Sequence, residues 1–329
     1  LYRSKINILP RFIFLPLVRL NYFLPGGLVH EAIFNQKDKL QRTTCFNHRD
    51  IHNLLDKTKP HVCFTSQEIK DGNIQLKKIG INENDKIIAI HVREANFRYH
   101  FDDKLQTYSY LDTRNTNIYN FIPSIKKLIS LGYKVVRYGK GKSQKINFSD
   151  INYIDLTTHS LRSDFLEIYL VFKSTFCIGS DSGGSYFPIW LFRKPTIIAN
   201  YVPIGDMHTY SKNILTIPKT IHYKSTNRKL TISEIFDKGY ANLLVKDDFE
   251  KSEVYAKEAT EEELCELVME MLERVNKTWK TTNEEISIRK KFIDIFLKNL
   301  NKHPKILSQH GKILSRFGFN FLKNNEDIL

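Results

Sequence analysis

A run of small and hydroxyl-bearing residues near the middle of the chain has the composition of a phosphate-binding turn. Its members are Ser180, Asp181, Ser182, Gly183, Gly184 and Ser185. The run separates the apolar residues 175–178 from a second apolar segment, 186–192, and a β-branched run follows at 196–199. This order predicts a strand, a tight turn, a helix and another strand. Because a helix N-terminus presents bare N–H groups, the turn predicts a site for a phosphorylated ligand.

The end of the first predicted strand, residues 86–92, carries a second group of reactive side chains. Alternation along the strand places His91 and Arg93 on one face, and Glu94 follows them. An arginine there can hold a diphosphate with two hydrogen bonds, and a neutral imidazole can donate to a phosphate or a sugar hydroxyl. A structural ion pair between Arg93 and Glu94 beside a buried histidine fits the same residues. All three are catalytic candidates.

Polar residues in the other loops above the predicted sheet complete the candidate site. The substrate-binding candidates in these loops are Arg114, Asn115, Arg137, Gly139, Ser163 and Asp164. Ser163 and Asp164 fit a helix cap first and a ligand contact second. Asp181 and Ser182 fit contact with phosphate, ribose or a metal, and they also fit a plain turn between strand and helix. No Asp-x-Asp pair marks a metal–diphosphate site, so we predict that no metal is required.

Strands and helices alternate around these residues, which predicts a doubly wound parallel sheet in an α/β fold. The predicted strands are 86–92, 134–138, 151–156, 175–178 and 196–199. The helices predicted between and before them are 66–79, with Ser66 as its N-cap, 118–131 and 164–172. Farther along, Thr260 and Glu263 have the spacing of a capping box, which predicts a helix to about residue 277, and 286–300 predicts another.

Charge and cysteine content limit the partners and the compartment. Fifty basic residues against 36 acidic ones, a net charge of +14, favour anionic partners. No nucleic-acid-binding motif accompanies the charge, so we predict no nucleic-acid partner. The four cysteines lie far apart, which favours a reducing, cytoplasmic setting, and Cys177 in an apolar strand predicts a buried thiol. The apolar residues 12–18 are too few to cross a bilayer, and they predict peripheral membrane contact or packing against another domain.

Several motifs occur together in one order and spacing, and jointly they resemble a family of bacterial glycosyltransferases encoded with surface-polysaccharide genes. These motifs are 91–94, 113–115, 131–139, 163–164 and 178–183, and the flanking segments 65–76 and 260–272 extend the resemblance. The strand end at Arg93 is also similar to the His-x-x-Arg motif of fucosyltransferase-type GT-B enzymes. That resemblance implies that Arg93 binds the diphosphate of the donor. The Asp-Ser-Gly turn is similar to a donor-phosphate turn of heptosyltransferase-like GT-B enzymes.

The sequence departs from this family pattern at two places. Relatives have Arg-Asp followed by Tyr where this chain has Arg93, Glu94 and then Phe97, which leaves the role of Glu94 open. They commonly have Arg-Met-Gly where this chain has Tyr138 between Arg137 and Gly139.

Together, the residues and the resemblance predict a metal-independent, GT-B-type glycosyltransferase of cell-envelope polysaccharide synthesis. It would use a nucleotide sugar as donor, with no cofactor, and a surface glycan or lipid-linked acceptor, in the cytoplasm at the inner face of the membrane. The predicted parts are a reduced acceptor-side region, 1–82, a Rossmann-like donor domain, 83–218, and a C-terminal helical region, 219–329. The alternatives are a non-catalytic nucleotide-sugar or glycan-binding module and a sulfo- or phosphotransferase.

Overall fold

Seven parallel strands make one sheet within the part of the chain that the computed structural model describes, residues 50–60, 62–94, 111–140, 145–146 and 148–329. The described residues contain nine strands, in chain order β1 Lys86–His91, β2 Tyr133–Arg137, β3 Tyr153–Asp155, β4 Phe176–Ser180, β5 Thr196–Tyr201, β6 Ile214–Pro218, β7 Thr220–Tyr223, β8 Val254–Lys257 and β9 Arg316–Phe317. The sheet has the order β3-β2-β1-β4-β5-β6-β9, while β7 and β8 form a separate antiparallel pair. The predicted α/β class and doubly wound parallel sheet are confirmed.

Helices connect and cover these strands. They are α1 Leu54–Lys57, α2 Ser66–Lys78, α3 Ile122–Ser130, α4 Asp164–Lys173, α5 Gly183–Phe192, α6 Ile232–Asp237, α7 Lys246–Lys251, α8 Glu261–Val275, α9 Asn283–Asn301, α10 Pro304–Leu307 and α11 Phe319–Asn324. Short 3-10 turns lie at Ile118–Phe121, Leu156–Thr158, Ile204–Asp206, Tyr240–Asn242 and Glu326–Ile328. In the described ranges every helix is too short or too polar to cross a lipid bilayer.

The sheet is covered on both faces, which is why β1 is a continuous apolar run. Ile88 and Ile90 point into one core, which includes residues of α3 and α8. Ile87 and Ala89 point into a second core with residues of α2 and α4. Each fully buried aliphatic side chain of this kind contributes about 1.5–3 kcal/mol, so the two cores hold the strands in register. Cys177 of β4 is buried as predicted, and burial raises the pKa of its thiol to about 12.

Several helix starts follow from side-chain capping. The capping box of Thr260 and Glu263 is confirmed at α8. At α2 the expected N-cap Ser66 is wrong, because Thr65 is the cap and forms a complete capping box with Glu68. A carboxylate that reaches back to the cap N–H satisfies one more orphan donor than a lone hydroxyl does, which places the start at Thr65.

Two further differences concern the middle and the end of the chain. Helix α5 begins at Gly183, so the two glycines of the predicted turn are its first residues. The tail has no role in the sequence prediction, yet β9 pairs with β6, with Arg316 opposite Leu215 and Phe317 opposite Thr216. A two-residue strand is too short to leave a periodic pattern. The predicted membrane-contact segment, 12–18, lies outside the described residues, and the domain boundaries stay a prediction.

The strand order creates a crevice at one point of the sheet. From β1 the chain runs outward to β2 and β3, then returns to β4 on the other side of β1. The loops after β1 and β4 therefore leave in opposite directions. In open α/β sheets this topological switch point, at the carboxyl ends of the strands, is where ligands bind. Both motifs that open the sequence analysis, the end of β1 and the turn after β4, lie there.

Candidate functional site

A cavity of about 470 Å³ opens at the switch point, a volume in the usual range for small-molecule sites. Ten of the predicted site residues line it: His91, Arg93, Glu94, Arg114, Arg137, Gly139, Asp164, Ser182, Gly183 and Gly184. The other five, Asn115, Ser163, Ser180, Asp181 and Ser185, lie outside its wall. The fold thus gathers most of the candidates, which come from four separate loops, around one space.

The first turn of α5 forms one wall of this cavity. Ser182 is the N-cap, but its side chain caps no backbone N–H, and its Oγ lies 3.1 Å from the Oγ of Ser185. A Cβ added to Gly183 would meet no atom within 4 Å, so this residue borders open space. A helix N-terminus without a side-chain cap keeps its N–H groups and its dipole available to an anion.

Asp181 is buried beneath the turn and holds a neighbouring arginine. Its carboxylate accepts from Arg114 Nε at 2.6 Å and Nη2 at 2.9 Å, and from the Tyr186 hydroxyl at 2.7 Å. Burial lowers the pKa of Arg114, but the adjacent carboxylate outweighs it and the net pKa is raised. With these three donors, Asp181 orients a permanently charged guanidinium at the edge of the cavity.

Arg137 is 1% exposed and lies between two carboxylates. It donates to Glu94 at 2.7 Å and to Asp155 of β3 at 3.1 Å. Burial lowers the pKa of Arg137, but these two neighbours together raise it above its ordinary value. Glu94 is therefore bound to Arg137, a partner that the sequence pattern did not indicate. This trio links the carboxyl ends of β1, β2 and β3 beneath the cavity.

The imidazole of His91 is fitted between two glycines. A Cβ at Gly139 would lie 2.7 Å from Nδ1, and one at Gly184 would lie 2.5 Å from Nε2. Nδ1 is 3.1 Å from the carbonyl oxygen of Tyr138, which can only accept, so Nδ1 carries the proton. The Nε2 lone pair is then an acceptor in the cavity wall.

Burial, with Arg137 and Arg93 nearby, lowers the pKa of His91. Protonation therefore favours the unfolded chain, whose histidines have a pKa of about 6.5. The contribution of His91 to stability is present above that pH and is lost as the pH falls. We expect its NMR titration midpoint to lie below pH 6.5, with His91→Asn used to identify the signal. A midpoint at or above this value would contradict the neutral imidazole.

Four of the predicted ligand contacts make hydrogen bonds within the protein. The Oγ of Ser180 accepts from the Arg93 backbone N–H at 2.7 Å and joins β4 to β1. Ser163 caps α4 by accepting from Leu166 N–H, the first of its two sequence interpretations. Asn115 donates to Asp112, and its backbone oxygen accepts from buried Lys219. Ser185 belongs to the same group, since its Oγ donates to the His91 carbonyl at 3.3 Å.

The cavity wall also contains residues that no sequence pattern predicted, chiefly Tyr138, Lys140, Arg162 and Glu167. Arg162 directly precedes the predicted cap Ser163, and Glu167 lies in the first turns of α4. The sequence shows only a basic residue before a helix and an acidic residue within it, which is a common surface pattern and does not indicate a site. Only the contact between α4 and the end of β2 shows that the pair faces the site.

Among the described residues, no group of three or more His, Cys, Asp or Glu side chains is placed to hold a metal ion. The expected His-x-x-Arg motif is wrong in its spacing, because the single residue Val92 separates His91 from Arg93. The alternation of side chains along β1 still places both around the cavity. A spacing of two residues puts His91 and Arg93 on the same face of an extended chain, so the predicted shared face fits the actual spacing.

The fold and the cavity define an α/β protein with a seven-stranded parallel sheet and a ligand-sized cavity at its switch point. No family model matches the chain. No curated protein sequence matches it either. The chain is similar to the crystal structure of a glycosyl transferase family 9 protein from Veillonella parvula DSM 2008, with 14% identity and a TM-score of 0.36. The match covers 65% of this chain and 54% of that one, so it spans about half the length of the solved protein.

Proposed function

We propose that the protein is a GT-B-type glycosyltransferase whose cavity binds the diphosphate of a nucleotide sugar. The observation that carries this proposal is the placement of an uncapped helix N-terminus, with two glycines, beside Arg93 and Arg114 at the switch point of the sheet. A diphosphate bound there would contact backbone N–H groups on one side and guanidinium groups on the other.

Charge in the cavity supports the same class of ligand. Within the described residues, five basic side chains line the cavity against three acidic ones, and two of the basic ones, Arg114 and Arg137, also bind the carboxylates of Asp181 and Asp155 outside the wall. The basic residues are Arg93, Arg114, Arg137, Lys140 and Arg162, and the acidic ones are Glu94, Asp164 and Glu167. Basic side chains in the wall suit a diphosphate, which carries at least two negative charges and gains more as its bond to the sugar breaks.

The transfer itself needs few groups from the protein. As the bond between the anomeric carbon and the diphosphate oxygen breaks, its electron pair leaves with the diphosphate. Arg93 and the first turn of α5 would stabilise the leaving group. If the reaction inverts configuration, a base takes the proton from the acceptor hydroxyl as its oxygen bonds to the carbon. Of the two base candidates, His91 with its Nε2 lone pair suits this role better than Glu94, which is bound to Arg137.

The wider setting remains part of the proposal. The acceptor would be a surface glycan or a lipid-linked sugar, and the reaction would need neither metal nor cofactor. The site of action would be the cytoplasm at the inner face of the membrane. The basic composition of the chain, net +14, favours an anionic membrane surface and anionic substrates.

Calorimetric titration with UDP, GDP, CDP and ADP tests the donor site, because a matching nucleoside diphosphate should bind and also raise the melting temperature. Incubation with the corresponding nucleotide sugars and an acceptor extract then tests transfer through nucleotide release. Binding without release would favour the non-catalytic module, and a sulfated or phosphorylated product would favour the other transferases. No binding of any nucleotide would contradict the proposal.

The two glycines of α5 provide a matched pair of variants. A methyl group at Gly183 meets no protein atom, so Gly183→Ala should keep or slightly raise stability, by up to about 1 kcal/mol, as for alanine in a helix. The same methyl would occupy the space of a diphosphate, so affinity should fall at least tenfold, or about 1.4 kcal/mol. Calorimetry beside melting curves measures both quantities.

Gly184→Ala should behave differently, because its methyl would lie 2.5 Å from His91 Nε2. We expect this variant to lose stability as the imidazole is displaced, by roughly 1–3 kcal/mol, as for overpacking. Wild-type affinity in folded Gly183→Ala would move the phosphate site away from this turn.

A further inference from the structure

One peptide group lies between the imidazole of His91 and a carboxylate on α4. The carbonyl of Tyr138 is 3.1 Å from His91 Nδ1. The N–H of the same peptide, which belongs to Gly139, donates to Glu167 Oε1 at 3.0 Å. The chain of contacts therefore runs from the carboxylate through one amide to the ring. A peptide that donates to an anion is polarised, which strengthens the hydrogen bond that its carbonyl accepts.

Arg162 keeps this carboxylate in place. Its Nε donates to Glu167 Oε1 at 2.8 Å and to the carbonyl of Gly139 at 3.1 Å, and its Nη2 donates to Glu167 Oε2 at 3.1 Å. The N–H of Gly139 is thus bound by a side chain of α4, and its carbonyl by a side chain from the loop before that helix. Gly139 has a φ of +128°, a conformation that disfavours other residues, and its Cα packs on the imidazole.

We infer that Glu167 is a positioning residue for His91: through the Tyr138–Gly139 peptide it holds the imidazole as the Nδ1–H tautomer, with the Nε2 lone pair available to an acceptor hydroxyl. The second nitrogen of a histidine is set by the bond that the first one makes. This inference deepens the proposed function, since it concerns the imidazole that the transfer would use as its base. It gives the Arg162–Glu167 pair a role in the site beyond that of a surface ion pair.

The other charged groups around the ring do not specify a tautomer. Arg93 follows β1, and Arg137 on β2 is bound to Glu94 and Asp155. Both arginines disfavour the protonated imidazole, but neither is bonded to Nδ1. From α4 the contact comes through Glu167 with its partner Arg162, and from α5 through Gly184. Of these groups, the Glu167 carboxylate is the one joined to Nδ1 by a single peptide.

Imidazole nitrogen NMR of the ¹⁵N-labelled full chain, without ligand at pH 7.5, tests the inference. His91→Asn identifies the His91 signals among those of the 11 histidines. Wild type should show a pyrrole-type Nδ1 and a pyridine-type Nε2. Glu167→Ala keeps the Tyr138 carbonyl but loses its polarisation, so its signals should shift measurably toward the Nε2–H tautomer, while Glu167→Gln, which keeps an acceptor without the charge, should be intermediate.

Asp164→Asn is the matched control, because it removes a carboxylate from the same helix and the same cavity wall. Asp164 is 3.5 Å from Arg162, its side chain is 86% exposed, and it makes no bond to the Tyr138–Gly139 peptide. It should keep the wild-type pattern. A wild-type pattern in Glu167→Ala, or an equal shift in Asp164→Asn, would overturn the inference. If Glu167→Ala does not fold, a wild-type pattern in Glu167→Gln overturns it.

The tautomer is measured without nucleotide, so its result is independent of the donor proposal. Titration of the same wild-type sample with nucleoside diphosphates tests that proposal separately. Where transfer is detected, loss of the positioning residue should lower kcat while leaving the KM for the nucleotide sugar near its wild-type value. A change in KM alone would instead make Glu167 a substrate contact and overturn the positioning role.

Discussion

Replacing Arg137 with methionine should lower the free energy of unfolding by about 3–5 kcal/mol, as for breaking a buried ion pair from one side. The guanidinium is 1% exposed and is bound to two carboxylates, Glu94 and Asp155. Methionine fills similar space but leaves both negative charges facing each other with little solvent. Urea denaturation followed by circular dichroism measures the loss.

Arg228→Met is the control for this experiment. Arg228 also binds a carboxylate, that of Glu234, but its side chain is 53% exposed. Its loss should cost far less than the loss of Arg137, because solvent screens an exposed ion pair. Neutralising the two partners, as in Arg137→Met combined with Glu94→Gln and Asp155→Asn, should recover part of the stability. Equal losses in Arg137→Met and Arg228→Met would show that the buried trio contributes no more than a surface pair.

Arg93→Ala should weaken nucleoside diphosphate binding by about 1.5–3 kcal/mol, the value of hydrogen bonds to a charged group. That is a roughly 10- to 150-fold loss of affinity. Arg93→Lys should restore only part of it, because an ammonium cannot make a two-pronged contact. The fold should remain, since the Arg93 backbone N–H donates to Ser180 and its carbonyl accepts from Thr116 N–H whatever the side chain.

Calorimetric titration of the three proteins with the best-binding nucleotide measures the effect. Arg228→Ala serves as the control, since it removes an arginine that lies outside the cavity wall and should keep wild-type affinity. Equal binding by wild type and Arg93→Ala would remove Arg93 from the donor site. Higher salt should weaken wild-type binding in the same direction, because a charged ligand is screened.

Arg93 and Arg137 look alike in the sequence, but we expect different effects when they are replaced. Arg137 is the last residue of β2 and Arg93 lies two residues after the end of β1, so both lie at the carboxyl edge of the same sheet. The sequence pattern carries no information on the partner. Glu94 and Asp155 reach Arg137 from two other strand ends, so its charge is balanced inside the fold. Whether Arg137 can also help to hold a diphosphate depends on this pairing, which the sequence does not show.

Asp181 and Ser163 are two further residues whose role depends on their partners. From the sequence, each fits a structural residue or a ligand contact, because short polar side chains at a helix start serve either purpose. The structure shows Ser163 bonded to its own helix and Asp181 bonded to Arg114 and Tyr186. The cap bond of Ser163 is local, three residues along the chain, whereas Asp181 binds Arg114 from 67 positions away, a partner that only the fold supplies.

The sequence by itself determined the α/β class, most strands and helices, and the edge of the sheet at which the site lies. These properties depend on hydrophobic period, glycine placement and helix caps, which act over a few residues. Only the tertiary structure decided which arginines border the cavity and which carboxylates bind them. It also decided which peptide joins Glu167 to His91. Those relations depend on the order of strands in the sheet. The order is set by packing of both faces across the whole chain, and no local pattern encodes it.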